Sequence, residues 1–288
     1  MFKSGFIALV GRPNAGKSTL INKLIGKHVA AATDVPQTTR HRIRAILNKP
    51  NMQAIFVDTP GLHRPYDVLG QELNESAFQA IADCDVVCML IDATADVGAG
   101  DKWVASHIPN THKICIISKA DLVDDNQLNK QIENASVLSD WDAFVVLSSI
   151  TGKNIDALIE EIENLLPEGP KWFPVDMKTD QDTDVLIAEM IREKVLLNVY
   201  DEVPHSVGVA VDNIDNKKIY ATIYVEQDSQ KGIIIGRGGE MLKKIGHDSR
   251  LDIQKLLSHK VFLDLSVKVK KNWRRDYNMV RKFGYSAE

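Results

Sequence analysis

The residues Gly11-Arg12-Pro13-Asn14-Ala15-Gly16-Lys17-Ser18 fit the pattern G-x-x-x-x-G-K-S and follow an apolar run at 6–10. Without side chains at Gly11 and Gly16 the backbone can turn its N–H groups inward on a polyphosphate; Lys17 adds a point charge and Ser18 a hydroxyl ligand for Mg²⁺. Beyond Ser18 come Thr19 and the helical-period run Leu20, Ile21, Leu24, Ile25, which stops at Gly26. The loop therefore sits between a strand and a helix, the setting that phosphate binding at a helix N-terminus needs.

Three further loops carry matching chemistry, each just after an apolar run. Asp58-Thr59-Pro60-Gly61 puts a carboxylate where it can hold the second shell of Mg²⁺, and a glycine whose N–H can approach a γ-phosphate. In Ser118-Lys119-Ala120-Asp121 the Asp121 carboxylate can accept hydrogen bonds from N1–H and N2–H₂ of guanine, whereas adenine presents an acceptor at N1. Ser148-Ser149-Ile150 adds backbone donors for guanine O6. A kinase acting on a small acceptor would share Lys17 and Ser18 but has no need of Asp121.

These loops, in this order, resemble those of the translation-factor-like GTPases. The resemblance implies GTP/GDP and Mg²⁺ as ligands, the metal held through Ser18, Thr39 and Asp58, and catalysis assisted by Lys17, Thr39 and Gly61. Thr39, with Thr38 in reserve, is assigned from Pro36-Gln37-Thr38-Thr39-Arg40-His41-Arg42 as the threonine that closes over Mg²⁺ and γ-phosphate. Leu62 stands where related switches carry a water-orienting Gln, so intrinsic hydrolysis is expected to be slow and to depend on a partner or cation. His41 and His63 receive no role. Asn14 occupies the position at which potassium-responsive relatives hold K⁺. Two departures stand out: Ser118 replaces the usual Asn, which is expected to bond the cradle or Ser148 less well, and Ser149 replaces the commoner Ala.

The C-terminal part carries a different signature. Gly236-Arg237-Gly238-Gly239 is followed by a helical-period run through Met241, Leu242 and Ile245, and residues 231–288 hold 14 Lys/Arg against 6 Asp/Glu, although the whole chain has a net charge of −4. A G-x-x-G tip between helices lets a nucleic-acid backbone lie against it beside an apolar groove for unstacked bases. Arg237, Lys243, Lys244, Lys268, Lys270, Lys271, Arg274 and Arg275 are candidates for phosphate neutralisation. The module resembles a type II K-homology (KH) domain. Its pairing with a GTPase half resembles the bacterial GTPases of small-subunit ribosome maturation, which implies binding to the 16S rRNA 3′ region and the 30S precursor, with peripheral membrane contact and a monomeric state.

The elements that must position these residues follow from periodicity. Apolar runs at 6–10, 43–47, 54–57, 86–91, 114–117 and 144–147 alternate with helical periods near 17–26, 68–82, 101–107, 127–138 and 154–166. This predicts an α/β domain with a mostly parallel sheet and helices on both faces, its ligand at the carboxyl ends of the strands. Pro167-Glu168-Gly169-Pro170 stops the last helix. We expect a GTPase domain over 1–168, a linker over 169–178 and an α-β-β-α-α-β KH domain with a basic tail over 179–288. No run approaches the ~20 apolar residues of a membrane span, and Cys84, Cys88 and Cys115 read as reduced thiols of a cytoplasmic protein.

Overall fold

The structure, a computed structural model, describes residues 1–33, 40, 43–59, 67–199, 203, 206–215 and 217–285. The expected roles of Thr38, Thr39, His41, Arg42, Pro60, Gly61, Leu62 and His63 fall outside these. Two compact units are formed: among the described residues the first takes in 1–32, 40, 43–59 and 73–180, and the second takes in 33, 67–72 and those from Gln181 onward.

The first unit is a six-stranded sheet of order β2-β3-β1-β4-β5-β6. Its strands are β1 (Lys3–Gly11), β2 (Ile43–Lys49), β3 (Met52–Asp58), β4 (Val86–Asp92), β5 (His112–Ser118) and β6 (Ala143–Val146). All neighbouring pairs are parallel except β2 with β3, a hairpin closed by Pro50 and Asn51.

The apolar runs are continuous because both faces are covered. Ile7, Leu9, Cys88, Leu90, Ile114 and Ile116 face a core that includes Leu20 and Ile21 of α1 (Lys17–Ile25) and Leu158 and Ile162 of α5 (Ile155–Leu165). The alternate residues Ala8, Val10, Val87, Met89, Cys115 and Ile117 meet Ala77 and Ile81 of α2 (Val68–Ala82), Val104 of α3 (Ala99–Ser106) and Ala135 of α4 (Asp125–Ser136). Side chains thus divide between the two cores with the period of 2 that a strand imposes. Cys84, Cys88 and Cys115 are free thiols, and burial pushes those of Cys88 and Cys115 up, which keeps them protonated and inert.

The segment expected as a linker is strapped to this sheet. Gln53, fully buried in β3, accepts hydrogen bonds from the Trp172 and Phe173 N–H groups at 2.7 and 3.0 Å and donates to the Phe173 carbonyl at 2.8 Å. Farther along, Ala45 of β2 forms a bridge with Thr179, and Arg44 pairs with Asp180 at 3.1 Å.

The second unit joins α6 (Thr183–Asn198), β7 (Gly208–Asp215), β8 (Lys218–Val225), α7 (Asp228–Ile235), α8 (Glu240–Leu257) and β9 (Phe262–Val269) into a three-stranded sheet, order β7-β8-β9, with helices packed on it. Its core includes Ile191, Val195, Val209, Ile223, Ile245 and Ile253. The residues after β9, expected as a basic tail, instead fold back through a short turn at Trp273–Arg275 and α9 (Tyr277–Lys282). Apolar content overrides charge there: Trp273 is fully buried, its Nε1–H donates to the Ser206 carbonyl at 2.7 Å, and Phe283 meets it edge-on.

Candidate functional site

The cradle lies where β1 ends and α1 begins. Gly11 has φ 148°, and a Cβ there would sit 2.6 Å from the Leu90 carbonyl oxygen, so this position must be glycine. Asn14 (φ 66°) and Gly16 (φ 92°) complete the turn in the left-handed region; a Cβ on Gly16 would meet nothing within 4 Å, so it is the backbone conformation and not crowding that favours glycine there. Lys17 is 6% exposed, and its ammonium donates to the Gly11 and Arg12 carbonyls, both at 3.3 Å. Burial lowers its pKa from the ordinary lysine value, with the Asp58 charge opposing.

Ser18 Oγ donates to Asp58 Oδ2 at 2.9 Å, across 40 residues of sequence. A hydroxyl beside a buried carboxylate is a hard oxygen pair, the donor chemistry that Mg²⁺ takes alongside phosphate oxygens, so these residues fit the metal. Thr59, also buried, donates from Oγ1 to the Leu9 carbonyl at 2.8 Å and fixes the end of β3 against β1.

The loops expected to recognise the base converge on the same carboxyl end of the sheet. Ser118, 2% exposed, reaches the Ala15 carbonyl at 2.8 Å and the Ile91 carbonyl at 3.1 Å, so the shorter side chain still ties this loop to the cradle. Lys119 has φ 56°, and its ammonium pairs with Asp92 at 2.6 Å. Burial works against ionisation of Asp92, but bonds from Lys119 and Thr94 hold its carboxyl below the ordinary value. Ala120 N–H donates to the Leu147 carbonyl at 3.2 Å, joining this loop to the one after β6, while Asp121 stays exposed. In that second loop Ser148 is buried and accepts from Thr151 N–H at 3.1 Å; Ser149 is half-buried and Ile150 exposed.

The second site is built by the turn between α7 and α8. Gly236 (φ 72°, ψ 173°), Gly238 (φ 60°) and Gly239 (φ 84°) all need backbone freedom, and Arg237 stands exposed between them. Beside the turn runs a groove of about 420 Å³ lined by Gly239, Leu242, Lys243, Gly246, His247, Arg250, Phe262, Leu263 and Leu265. Its floor is apolar and its rim basic, which suits unstacked bases and a phosphate backbone. The sequence reading missed His247 and Arg250, although their spacing from Lys243 on one helix face was a usable signal.

The other basic candidates are dispersed. Lys244 lines a different hollow, with Lys194 and Leu251. At the far end of β9 from Phe262, Lys268 and Lys271 are exposed, Lys270 lies 3.4 Å from Asp276, and Arg274 gives two bonds to Glu226 at 2.9 and 3.0 Å.

Fold and site together define a P-loop GTPase domain followed by a KH domain. Residues 6–120 match the family model described as 50S ribosome-binding GTPase, and residues 198–274 match that of the KH domain. GTPase Era of Mycolicibacterium smegmatis is 44% identical over 296 residues, which cover 99% of this chain and 99% of that protein. A solved structure of an Aquifex aeolicus Era variant bound to GDP and AlF₄⁻ is 36% identical, with a TM-score of 0.95 over 99% of this chain and all of that one. Another, of Era in complex with MgGDPNP and nucleotides 1506–1542 of 16S ribosomal RNA, is also 36% identical, with a TM-score of 0.96 over the full length of both. The chain belongs to the Era GTPase family. Among the described residues no helix is long and apolar enough to cross a membrane.

Proposed function

We propose that the chain is a GTP-hydrolysing switch whose KH domain binds the 3′ region of 16S rRNA on the 30S precursor during small-subunit maturation. The observation that carries this reading is the bond network from Asp58 through Ser18 and from Ala15 to Ser118, which assembles metal, phosphate and base loops into one site. The likeness to Era solved with 16S rRNA nucleotides supports the choice of RNA.

In this reading Lys17, already desolvated, transfers its ammonium from the cradle carbonyls to phosphate oxygens, where charge grows during transfer to water. Mg²⁺, when bound, neutralises the β- and γ-phosphate oxygens. Ser18 and Asp58 would hold it, and to Thr39 and Gly61 this reading assigns closure over the metal and an N–H for the γ-phosphate. Asp121 selects guanine. Leu62 has no group with which to orient water, so basal turnover is slow. The proposed division is a GTPase domain over 1–168, a linker over 169–178 and the KH domain over 179–288. The protein acts in the cytoplasm, with peripheral contact at the inner membrane face.

Binding of GTP, ATP and XTP to wild type and Asp121→Asn tests the reading. Wild type should prefer GTP, and the variant should shift toward XTP, because an amide can donate to the xanthine oxygen where a carboxylate cannot. Equal binding of ATP and GTP by wild type would end the guanine assignment.

A further inference from the structure

Arg12 is tied to the cradle by its backbone and to α3 by its side chain. Its carbonyl accepts both the Lys17 ammonium and the Ala15 N–H, each at 3.3 Å. Its guanidinium Nε lies 3.3 Å from Oδ1 of Asp101, a carboxylate that is 1% exposed. The other Asp101 oxygen accepts the Gly98 N–H at 2.9 Å and so caps α3.

The start of α3 is shaped to receive the arginine. A Cβ on Gly100 would fall 2.9 Å from Arg12 Cδ and 3.4 Å from Cγ, and one on Gly98 would fall 3.7 Å from Arg12 Nη1. Glycine at position 100 thus leaves room for the arginine stem, although Ala would favour the helix more. A buried carboxylate needs a partner, and here that partner is a cradle residue.

We infer that Asp101 is a positioning residue for the nucleotide site: through Arg12 it fixes the cradle backbone whose carbonyl holds Lys17. With the guanidinium anchored on α3, the segment between Gly11 and Ala15 keeps its turn as phosphates arrive and leave. Loss of the anchor lets the turn relax, and bound nucleotide escapes faster. The inference rests on guanine-nucleotide binding by this site.

The test is the release rate of a fluorescent GDP analogue, measured beside thermal stability, for Asp101→Asn, Gly100→Ala, Arg12→Gln and the double variant Arg12→Gln/Asp101→Asn. Asp101→Asn retains an oxygen for the Gly98 N–H and loses the charge that holds Arg12. It should release GDP faster by about fivefold, the upper scale of a partly exposed ion pair. Gly100→Ala displaces the Arg12 stem while favouring the helix, so faster release without a lower melting temperature is expected. The double variant should release no faster than Arg12→Gln alone, because both changes break one connection. Unchanged release in Gly100→Ala, or multiplying effects in the double variant, would overturn the inference. Failure of wild type to bind the analogue would instead strike the nucleotide reading itself.

Discussion

Ser118 Oγ lies 2.8 Å from the Ala15 carbonyl oxygen, so the loop proposed to read the base is bonded directly to the loop proposed to hold the phosphates. One buried hydroxyl thereby couples the two loops, because displacing either breaks the same bond.

Ser118→Ala removes this bond and leaves the Ala15 carbonyl short of a donor. The expected cost is about 1 kcal/mol in GDP binding, roughly fivefold in affinity, with a comparable loss of domain stability. Calorimetric titration and thermal melts check both. Ser118→Asn, in contrast, must fit a larger amide into a site that is 2% exposed, so it should gain no affinity unless the loop shifts.

Lys17 predicts a pH dependence. Its pKa is lowered by burial, and phosphate charge raises it on binding, so nucleotide binding takes up a proton at alkaline pH. GTP affinity therefore falls as pH rises through the lowered value of the empty protein. Stability of the empty protein has the opposite slope: the unfolded chain binds more protons at Lys17, so stability rises with pH from the lowered value toward 10.5. Proton uptake, read as a dependence of binding heat on buffer ionisation enthalpy, should vanish in Lys17→Ala. A Lys17→Ala protein with the same uptake would place the proton elsewhere.

Much of this site was legible in the sequence because its chemistry is local. Gly11 to Ser18 is one contiguous loop, and Asp58 and Ser118 each end a strand whose apolar run marks it. Strand direction was less legible: burial on both faces gives β2 and β3 similar apolar runs, and only the short Pro50-Asn51 connection signals a hairpin. Contacts between distant segments left no local trace. Gln53 reads as an ordinary polar strand residue, yet its partners Trp172 and Phe173 lie 119 and 120 residues away. Asp101 likewise looks like a first-turn helix carboxylate until the fold brings Arg12 to it.

Asn14 leads to a cation prediction. Its φ of 66° is a conformation that Asn tolerates and Gly adopts freely, so Asn14→Gly deletes the side-chain amide without straining the turn. GTP turnover should be faster in KCl than in NaCl at equal ionic strength, and the variant should lose that difference. Equal turnover of wild type in the two salts would remove K⁺ from the site.

The KH turn separates backbone strain from charge. Gly236 has φ 72° and ψ 173°, a region essentially reserved for glycine, and a Cβ there would fall 2.6 Å from Met241 Cβ. Gly236→Ala should therefore destabilise the KH domain by about 2–3 kcal/mol and weaken RNA binding with it. Arg237 and Gly238 are exposed, and a Cβ on Gly238 would meet nothing within 4 Å; its φ of 60° strains a side chain there, but Asp is among the residues that tolerate this region, so changing both to Asp strains the turn locally while opposing RNA phosphates with two negative charges. That double variant should lose binding to a 16S rRNA 3′-end oligonucleotide yet keep basal GTP hydrolysis near wild type. For wild type, affinity should fall steeply with salt, as each neutralised phosphate releases a counterion. Filter binding across a salt series, paired with phosphate release from the same samples, distinguishes the outcomes: retained RNA binding in the double variant would move the interface away from this turn, whereas joint loss of RNA binding and hydrolysis would indicate general unfolding or tight dependence between the domains.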